Sequence, residues 1–175
     1  LTLAIKLWDE NFEAADPAKS QNTGRRMRGD GRINAAIQLW LTTGEAKYKD
    51  FFYDKVLAQL NGERPNLNVA LSLYPHMDKA FQKKVKDAVP AFVKAQKATA
   101  QSTPYGVPVS GRGWGGNGTV ISWAYNNYMV WKYFPKMIDP EMVLAGLNYL
   151  YGCHPVSNVS FVTSVGVNTK KVAYG

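Results

Sequence analysis

A tryptophan within a glycine-rich stretch is the most distinctive chemical feature of the sequence. Residues 111–117 read Gly-Arg-Gly-Trp-Gly-Gly-Asn and stand just before a strongly apolar segment. Glycines give the Trp114 indole no neighbouring side chains to pack against, so its flat face is available to a ligand. The C–H face of a pyranose ring matches such a surface, and indole loses little conformational entropy when it is ordered. The residues alone leave open the alternative that Trp114 closes the end of a helical fold.

The carboxylates do not form a recognisable acid–base pair. The 13 acidic residues are scattered along the chain. Asp50 and Asp54 share a predicted helix face at a spacing of four residues, which could in principle support general acid–base catalysis. A solvated outer face explains this pair more simply, because glycosidases place their two carboxylates on either side of the bond that they cleave.

Histidine and cysteine offer little for metal binding or nucleophilic catalysis. The 2 histidines, His76 and His154, are far apart, and Cys153 is the single cysteine. These numbers exclude an internal disulfide and a multi-cysteine zinc site. Cys153 precedes His154, but adjacent side chains usually point apart, so we expect no thiolate–imidazole pair. The sequence therefore predicts no metal site and no cofactor.

Two groups of basic residues account for much of the net charge of +8. One group stands in a glycine-punctuated link and the other on a predicted helix: Arg25, Arg26, Arg28 and Arg32, then Lys83, Lys84 and Lys86. A solvated face accounts for the lysines, and contacts with carbonyls or carboxylates account for the arginines as well as phosphate binding would. We therefore expect no nucleic-acid partner.

Helical periodicity predicts the elements that must position these residues. Apolar residues at helical spacing predict an all-α chain built from consecutive helical hairpins. The predicted helices are a first one ending at Asp16-Pro17, one from Ile33 to Leu41, one from Tyr48 to Leu60 after a helix-ending Gly44, and one from Asp78 to about Gln101 that contains Pro90. For residues 61–75 a strand and a short helix both remain open.

The second half of the chain predicts a buried inner helix. Residues 119–134 are apolar nearly all round, which is typical of a helix buried on all sides. Asp139 as the N-cap and Pro140 in the first position begin a last helix that runs to Gly152. Residues 159–163 are β-like, and loop follows to the end. Outer amphipathic helices would then surround inner ones.

Composition excludes several classes of protein. A hydrophobic fraction of 46% argues against a disordered chain. No apolar run approaches the roughly 20 residues of a membrane span. Because the chain starts at Leu1 inside an apolar-periodic stretch and stops at Gly175 in a loop, we interpret it as a piece of a longer protein whose signal peptide is not visible.

Three segments occur in an order that points to one family. The Trp-Gly-Gly-Asn-Gly segment at 114–118 precedes the apolar helix, residues 147–155 read Leu-Asn-Tyr-Leu-Tyr-Gly-Cys-His-Pro, and residues 160–166 read Ser-Phe-Val-Thr-Ser-Val-Gly. Together they resemble the tryptophan–glycine loop, the "YxLGxNP" segment and the "SYVTGxG" segment of glycoside hydrolase family 9. Residues 35–48 resemble a hairpin common in six-hairpin enzymes, and residues 167–175 are similar to a variant in gut Bacteroidetes members.

The resemblance implies an (α/α)6 six-hairpin barrel that hydrolyses β-1,4-glucosidic bonds with inversion, in a secreted or periplasmic cellulase or endoglucanase. It implies that residues 1–175 are a partial catalytic domain, truncated at both ends. The family's catalytic aspartates precede the matched region, and its histidine–arginine motif and acid glutamate follow Gly175, so no catalytic residue is assigned and the chain alone is expected to be inactive.

The resemblance also implies a sugar-binding site. Trp114 matches the tryptophan that stacks on a sugar in the cleft, with Arg112 and Tyr105 as loop neighbours. His154 departs from the family, which usually has Asn at this place, so the family's hydrogen bonding there does not carry over.

Two functional hypotheses follow. In the first, the chain supplies part of the barrel and cleft that bind a β-glucan or cello-oligosaccharide, and its partner is the missing remainder of the catalytic domain. The alternative is a non-catalytic helical scaffold that uses its positive charge to bind an acidic polymer, with an affinity that falls steeply with salt.

Overall fold

The computed structural model of the chain describes residues 1–12, 31–109, 116–153 and 158–169, and these ranges are mainly α-helical, which confirms the predicted all-α class. The helices are α1 (Thr2–Phe12), α2 (Gly31–Thr43), α3 (Ala46–Leu60), α4 (Asn68–Ser72), α5 (Lys79–Gln101), α6 (Asn117–Tyr133) and α7 (Glu141–Leu150). A 3-10 turn, Tyr74–His76, lies between α4 and α5, and two short strands follow α7, β1 (Val159–Ser160) and β2 (Asn168–Thr169). Within the described ranges, every helix is too short or too polar to cross a membrane. The chain divides into two units, residues 1–58 and 59–175.

An aromatic core holds the first unit together. Its buried cluster contains Trp8 of α1, Ala36 and Leu39 of α2, and Tyr48 of α3. The Trp8 ring meets Tyr48 edge-on, with ring centroids 5.4 Å apart. Such edge-to-face pairs add to the free energy gained by burying the rings, so this contact ties α1 to α3.

The turn between α2 and α3 follows the prediction at Gly44. Its φ is +74°, a left-handed conformation that glycine adopts without the steric penalty of a side chain. The Gly44 amide donates to the Trp40 carbonyl at 2.8 Å, which closes the last turn of α2. Beyond this turn, the Trp40 ring contacts Phe52 of α3 with ring centroids 5.7 Å apart.

The apolar faces of α2 and α3 differ in how well they were predicted. The predicted helical spacing of apolar residues on α3 is confirmed, because Tyr48, Phe52 and Val56, which stand four residues apart, are all fully buried. On α2 the prediction placed Leu41 on the apolar face, but Leu41 is exposed and Leu39 is buried instead. The predicted end of the first helix at Asp16-Pro17 lies outside the described residues.

The second unit begins with a segment for which strand and helix had both been open. In the structure this segment is helical, because it contains α4 and then the 3-10 turn. Its apolar residues Leu67, Ala70 and Leu71 are buried at the start of the unit. The segment is therefore a short helix that presents one side to the core.

Helix α5 agrees closely with its prediction. The Asp78 carboxylate accepts a hydrogen bond from the Phe81 amide at 2.8 Å, so Asp78 is the N-cap. The buried face consists of Phe81, Val85, Val89, Phe92 and Val93. The helix continues through Pro90, which lies on the exposed side.

Helices α6 and α7 pack closely against each other. A Cβ atom added to Gly146 of α7 would lie 2.6 Å from the Ala124 Cβ of α6, so glycine is what allows this approach. Between the same helices the Asn127 side-chain amide donates to the Met142 carbonyl at 3.3 Å. Helix α6 starts at Asn117 with Gly116 as its N-cap. Helix α7 starts at Glu141 with Pro140 as its N-cap, so the prediction of Asp139 as N-cap was one residue too early, although the Asp139 carboxylate accepts a hydrogen bond from the Glu141 amide at 3.0 Å.

The prediction that α6 is buried on all sides is wrong. Val120, Trp123 and Val130 are buried. Large apolar side chains on another side of the same helix are exposed in this chain: Ile121, Tyr125, Tyr128 and Trp131. Because apolarity was nearly uniform around the helix, it carried no information about which side has a partner.

The C-terminal strands are shorter than the β-like pattern suggested. β1 pairs in parallel with β2, with Val159 opposite Asn168 and Ser160 opposite Thr169. The prediction of loop after residue 163 missed β2, whose two residues are too few for a recognisable period.

Candidate functional site

Of the three predicted sugar-binding residues, Tyr105 is among those that the structure describes. Trp114 and Arg112 lie outside the described residues. Tyr105 lies in the segment after α5 and keeps 36% of its surface exposed. Its ring therefore provides the starting point from which a candidate site can be built.

Tyr105 belongs to a row of three aromatic rings. It meets Tyr149 of α7 edge-on, with centroids 5.7 Å apart and an interplanar angle of 70°. Tyr149 in turn stacks on Phe161, with centroids 5.5 Å apart and an angle of 29°. Tyr149 is buried, whereas Tyr105 and Phe161 each leave more than a third of their surface exposed. We call Tyr105, Tyr149 and Phe161 the aromatic row.

A tight turn after α5 positions Tyr105. Gly106 has a φ of +68°, and its amide donates to the Thr103 carbonyl at 3.3 Å. The Thr103 hydroxyl donates to the Val107 carbonyl at 2.6 Å, while the Val107 side chain is fully buried. The turn is thus anchored on both sides of Tyr105, so the ring is held in place by backbone geometry as well as by Tyr149.

The other two rings are fixed where α7 meets β1. Tyr149 is in the last turn of α7, and the Phe161 amide donates to the Leu150 carbonyl at 2.9 Å. Between them, Gly152 has a φ of +91°, and a Cβ there would lie 2.8 Å from the Asn158 carbonyl oxygen. Only glycine fits such a position without strain, so this turn determines where Phe161 lies against Tyr149.

Tyr105 is the one member of the aromatic row that had been predicted as a sugar-binding residue. Tyr149 and Phe161 were part of the two C-terminal motifs at 147–155 and 160–166, but neither had been assigned a role. The presence of an aromatic residue in each motif was the signal that could have found them. The structure places Tyr149 against Tyr105, and Phe161 against Tyr149.

Burial raises the pKa of the Tyr149 hydroxyl, and the nearby Tyr105 raises it further. We expect Tyr149 to stay protonated above pH 10, where an ordinary tyrosine ionises. Its contribution to folding stability is fully present below about pH 10 and is lost as the pH rises through the higher folded-state value, because the unfolded chain releases this proton first. Titrating the tyrosinate absorbance should show a late component that Tyr149→Phe removes.

A matched variant controls for the loss of one chromophore. Tyr151→Phe removes an exposed tyrosine two residues away. Tyr74, whose pKa burial also raises, should remain as a late component in both variants. If Tyr149→Phe and Tyr151→Phe change the titration in the same way, burial of the Tyr149 hydroxyl is not responsible.

A second surface lies between α6 and α7. A groove of about 270 Å³ runs between these helices and is lined almost wholly by apolar atoms of Ile121, Ala124, Tyr125, Tyr128, Val143, Leu147 and Leu150. Large exposed side chains border it, and the Tyr128 and Trp131 rings are 6.2 Å apart. We call the exposed side chains Ile121, Tyr125, Tyr128 and Leu147 with this groove the α6–α7 face.

The acidic, histidine and cysteine side chains are scattered in the part of the chain that the structure describes. No group of three or more His, Cys, Asp or Glu side chains there could hold a metal ion. Asp50 and Asp54 are both exposed, as expected for a solvated outer face. His76 and Cys153 are exposed too, and His154 lies outside the described residues.

The basic groups are only partly described. Arg25, Arg26 and Arg28 lie outside the described residues, whereas the Arg32 guanidinium lies over the Phe51 ring, 5.8 Å from its centroid. Lys83, Lys84 and Lys86 on α5 are exposed. Arg32 thus contacts an aromatic ring of its own unit, whereas the three lysines of the second group are exposed.

The chain matches no protein-family model and no curated protein.

Proposed function

We propose that this chain forms part of the catalytic domain of a secreted or periplasmic β-1,4-glucanase and contributes a sugar-binding surface to its cleft. The observation that carries the proposal is the aromatic row, in which the partly exposed Tyr105 and Phe161 both contact the buried ring of Tyr149. Exposed aromatic rings bind the C–H faces of pyranoses by stacking and apolar contact. Trp114 stands nine residues after Tyr105 in the sequence, and the family resemblance gives it a stacking role on a sugar.

The α6–α7 face supports the barrel architecture within this proposal. Large contiguous apolar patches are rare on the surface of a monomer and usually mark an interface. In an (α/α)6 barrel, further helical hairpins would cover Ile121, Tyr125, Tyr128 and Leu147. We therefore assign the α6–α7 face to contacts with the remainder of the catalytic domain.

Within this proposal, the chain binds the substrate and the catalytic carboxylates lie elsewhere in the domain. An inverting glycosidase needs one carboxylic acid to protonate the leaving oxygen and one carboxylate to activate water, about 6.5–9.5 Å apart. We place both groups in the remainder of the domain. The aromatic row would hold the glucan chain in register, so that the scissile bond meets those carboxylates in the correct orientation.

The proposal is tested by binding to cellohexaose. We expect Trp114→Ala and Phe161→Ala each to weaken the binding of cellohexaose, measured by calorimetry, by about 1–3 kcal/mol, by analogy with bases stacked on aromatic side chains. In the intact enzyme the same changes should raise KM for cello-oligosaccharides.

Tyr128→Ala is the matched control, since it removes an equally exposed ring from the α6–α7 face. Its affinity for cellohexaose should stay at the wild-type value. Equal losses in all three variants, or no measurable binding of cellohexaose by the wild-type chain, would contradict the proposed role of the aromatic row.

A further inference from the structure

One side of α5 carries a row of lysines. Lys79, Lys83, Lys86, Lys94 and Lys97 follow one another at steps of three, four and eight residues, so they lie on the same side of the helix, and all are exposed. At 1.5 Å per residue the row extends for about 27 Å. We call these five residues the lysine row.

The positive charge of the row is largely uncompensated. Asp87 pairs with Lys83, with the Nζ and Oδ2 atoms 2.6 Å apart. Lys86, Lys94 and Lys97 form no ion pair with any residue in the described ranges. The C-terminal half of the row therefore presents three unneutralised ammonium groups to solvent.

A groove of about 640 Å³ lies beside this half of the row. Its walls are Pro90, Val93, Lys94, Lys97, Ala98, Gln101 and Met137. Most of the groove surface is apolar, and the two lysines supply its charge. Pro90 lacks an N–H group and cannot donate to the Lys86 carbonyl four residues before it, which leaves this acceptor without its usual helical donor.

The unpaired lysines and the apolar groove together favour one class of anionic ligand over others. A uniformly charged polymer such as a nucleic acid would pair with the lysines and leave the apolar surface of the groove unused. A small molecule would need to be largely enclosed, as ligands in pockets are, but this groove is open along α5. A peptide can provide carboxylates, apolar side chains and an N–H donor at once.

We propose that the groove beside α5 binds an acidic peptide segment of a partner protein. The carboxylates of the segment contact Lys86, Lys94 and Lys97, and its apolar side chains enter the groove between Pro90 and Met137. From residue 86 to residue 101 the helix rises about 22 Å, which equals the length of about seven extended peptide residues. This interaction uses no residue of the aromatic row and is independent of glucan binding.

A synthetic peptide of sequence Glu-Glu-Leu-Phe-Glu-Asp-Leu-Glu, carrying fluorescein, tests the proposal by fluorescence anisotropy. We expect saturable binding to the wild-type chain and a loss of affinity of about tenfold in the double variant Lys94→Gln/Lys97→Gln, since hydrogen bonds to charged groups are lost. Lys49→Gln/Lys55→Gln on α3 removes the same charge elsewhere and should leave the affinity unchanged.

Two further probes separate this peptide site from a general site for polyanions. A peptide in which serine replaces both leucines and the phenylalanine should bind at least about tenfold more weakly, because it cannot fill the apolar groove. The wild-type chain should also prefer the first peptide to heparin and to a 20-nucleotide single-stranded RNA. Equal binding of the two peptides, tighter binding of either polymer, or an unchanged affinity of Lys94→Gln/Lys97→Gln would overturn the proposal.

Discussion

Asn127→Asp is expected to reduce the free energy of unfolding by about 3–5 kcal/mol at neutral pH, because it leaves an uncompensated charge in the protein interior. Asn127 is fully buried. Its side-chain amide donates to the Met142 carbonyl at 3.3 Å, which links α6 to α7. A carboxylate has no proton to donate, so an oxygen atom would face the carbonyl oxygen instead. Urea unfolding followed by circular dichroism measures the loss.

The loss should depend on pH in a defined direction. Burial disfavours the charged form and raises the pKa of an introduced carboxyl group above its unfolded value of about 3.9. The penalty is therefore absent below about pH 4, grows as the pH rises towards the folded-state pKa, and is constant above it. A protonated carboxyl could also donate to the Met142 carbonyl, as the native amide does.

Asn126→Asp is the matched control for this experiment. Asn126 is the preceding residue of α6 and is partly exposed, so the same change of charge should alter the free energy of unfolding by less than about 0.5 kcal/mol. If both variants lose the same stability at neutral pH, the effect comes from a negative charge on α6 and the burial of Asn127 does not explain it.

The helices with one apolar face were predicted well from the sequence, and the reason is local. On α5 the buried residues recur at the period of the helix while lysines occupy the opposite side. The start of this helix at Asp78 was also predicted, and the N-cap that Asp78 forms in the structure depends only on residues within one turn. Such features need no knowledge of distant parts of the chain.

Helix α6 was predicted less well because its apolarity is nearly uniform. Ile121 and Tyr125 are as apolar as Val120 and Trp123, yet the first two are exposed and the last two are buried. Polarity does not mark the outer side consistently either, because Asn127 is buried whereas Ser122 is exposed. Which side is covered depends on the neighbouring helices, and this information is not contained in the period of α6.

The aromatic row shows the same limit for the candidate site. Tyr105 was reached through its place beside the Trp114 segment, but its contacts with Tyr149 and Phe161 join three separate stretches of the chain. These contacts depend on the turns at Gly106 and Gly152, whose positive φ values a glycine permits but does not require. The sequence therefore shows that these aromatic residues are present, but it does not predict that their rings contact one another.

Gly146→Ala is expected to lower the free energy of unfolding by about 1–3 kcal/mol, as overpacked sites do. Replacing glycine by alanine within a helix ordinarily stabilises it by up to about 1 kcal/mol. Here the new Cβ would lie 2.6 Å from the Ala124 Cβ and 3.5 Å from the Val120 carbonyl oxygen. Helices α6 and α7 must move apart to accept it, and the packing lost along their contact outweighs the gain in helix propensity.

Two further variants separate the close approach from the propensity of the helix. Gly118→Ala in α6 adds the same methyl group where no atom lies within 4 Å, so we expect no loss and a gain of up to about 1 kcal/mol. Combining Gly146→Ala with Ala124→Gly returns the missing space and should recover part of the stability.

Because Tyr149 follows three residues after Gly146 on α7, the single variant Gly146→Ala should also displace the Tyr149 ring from Phe161 and weaken cellohexaose binding. A stabilising Gly146→Ala would mean that α6 and α7 are not in close contact at this point.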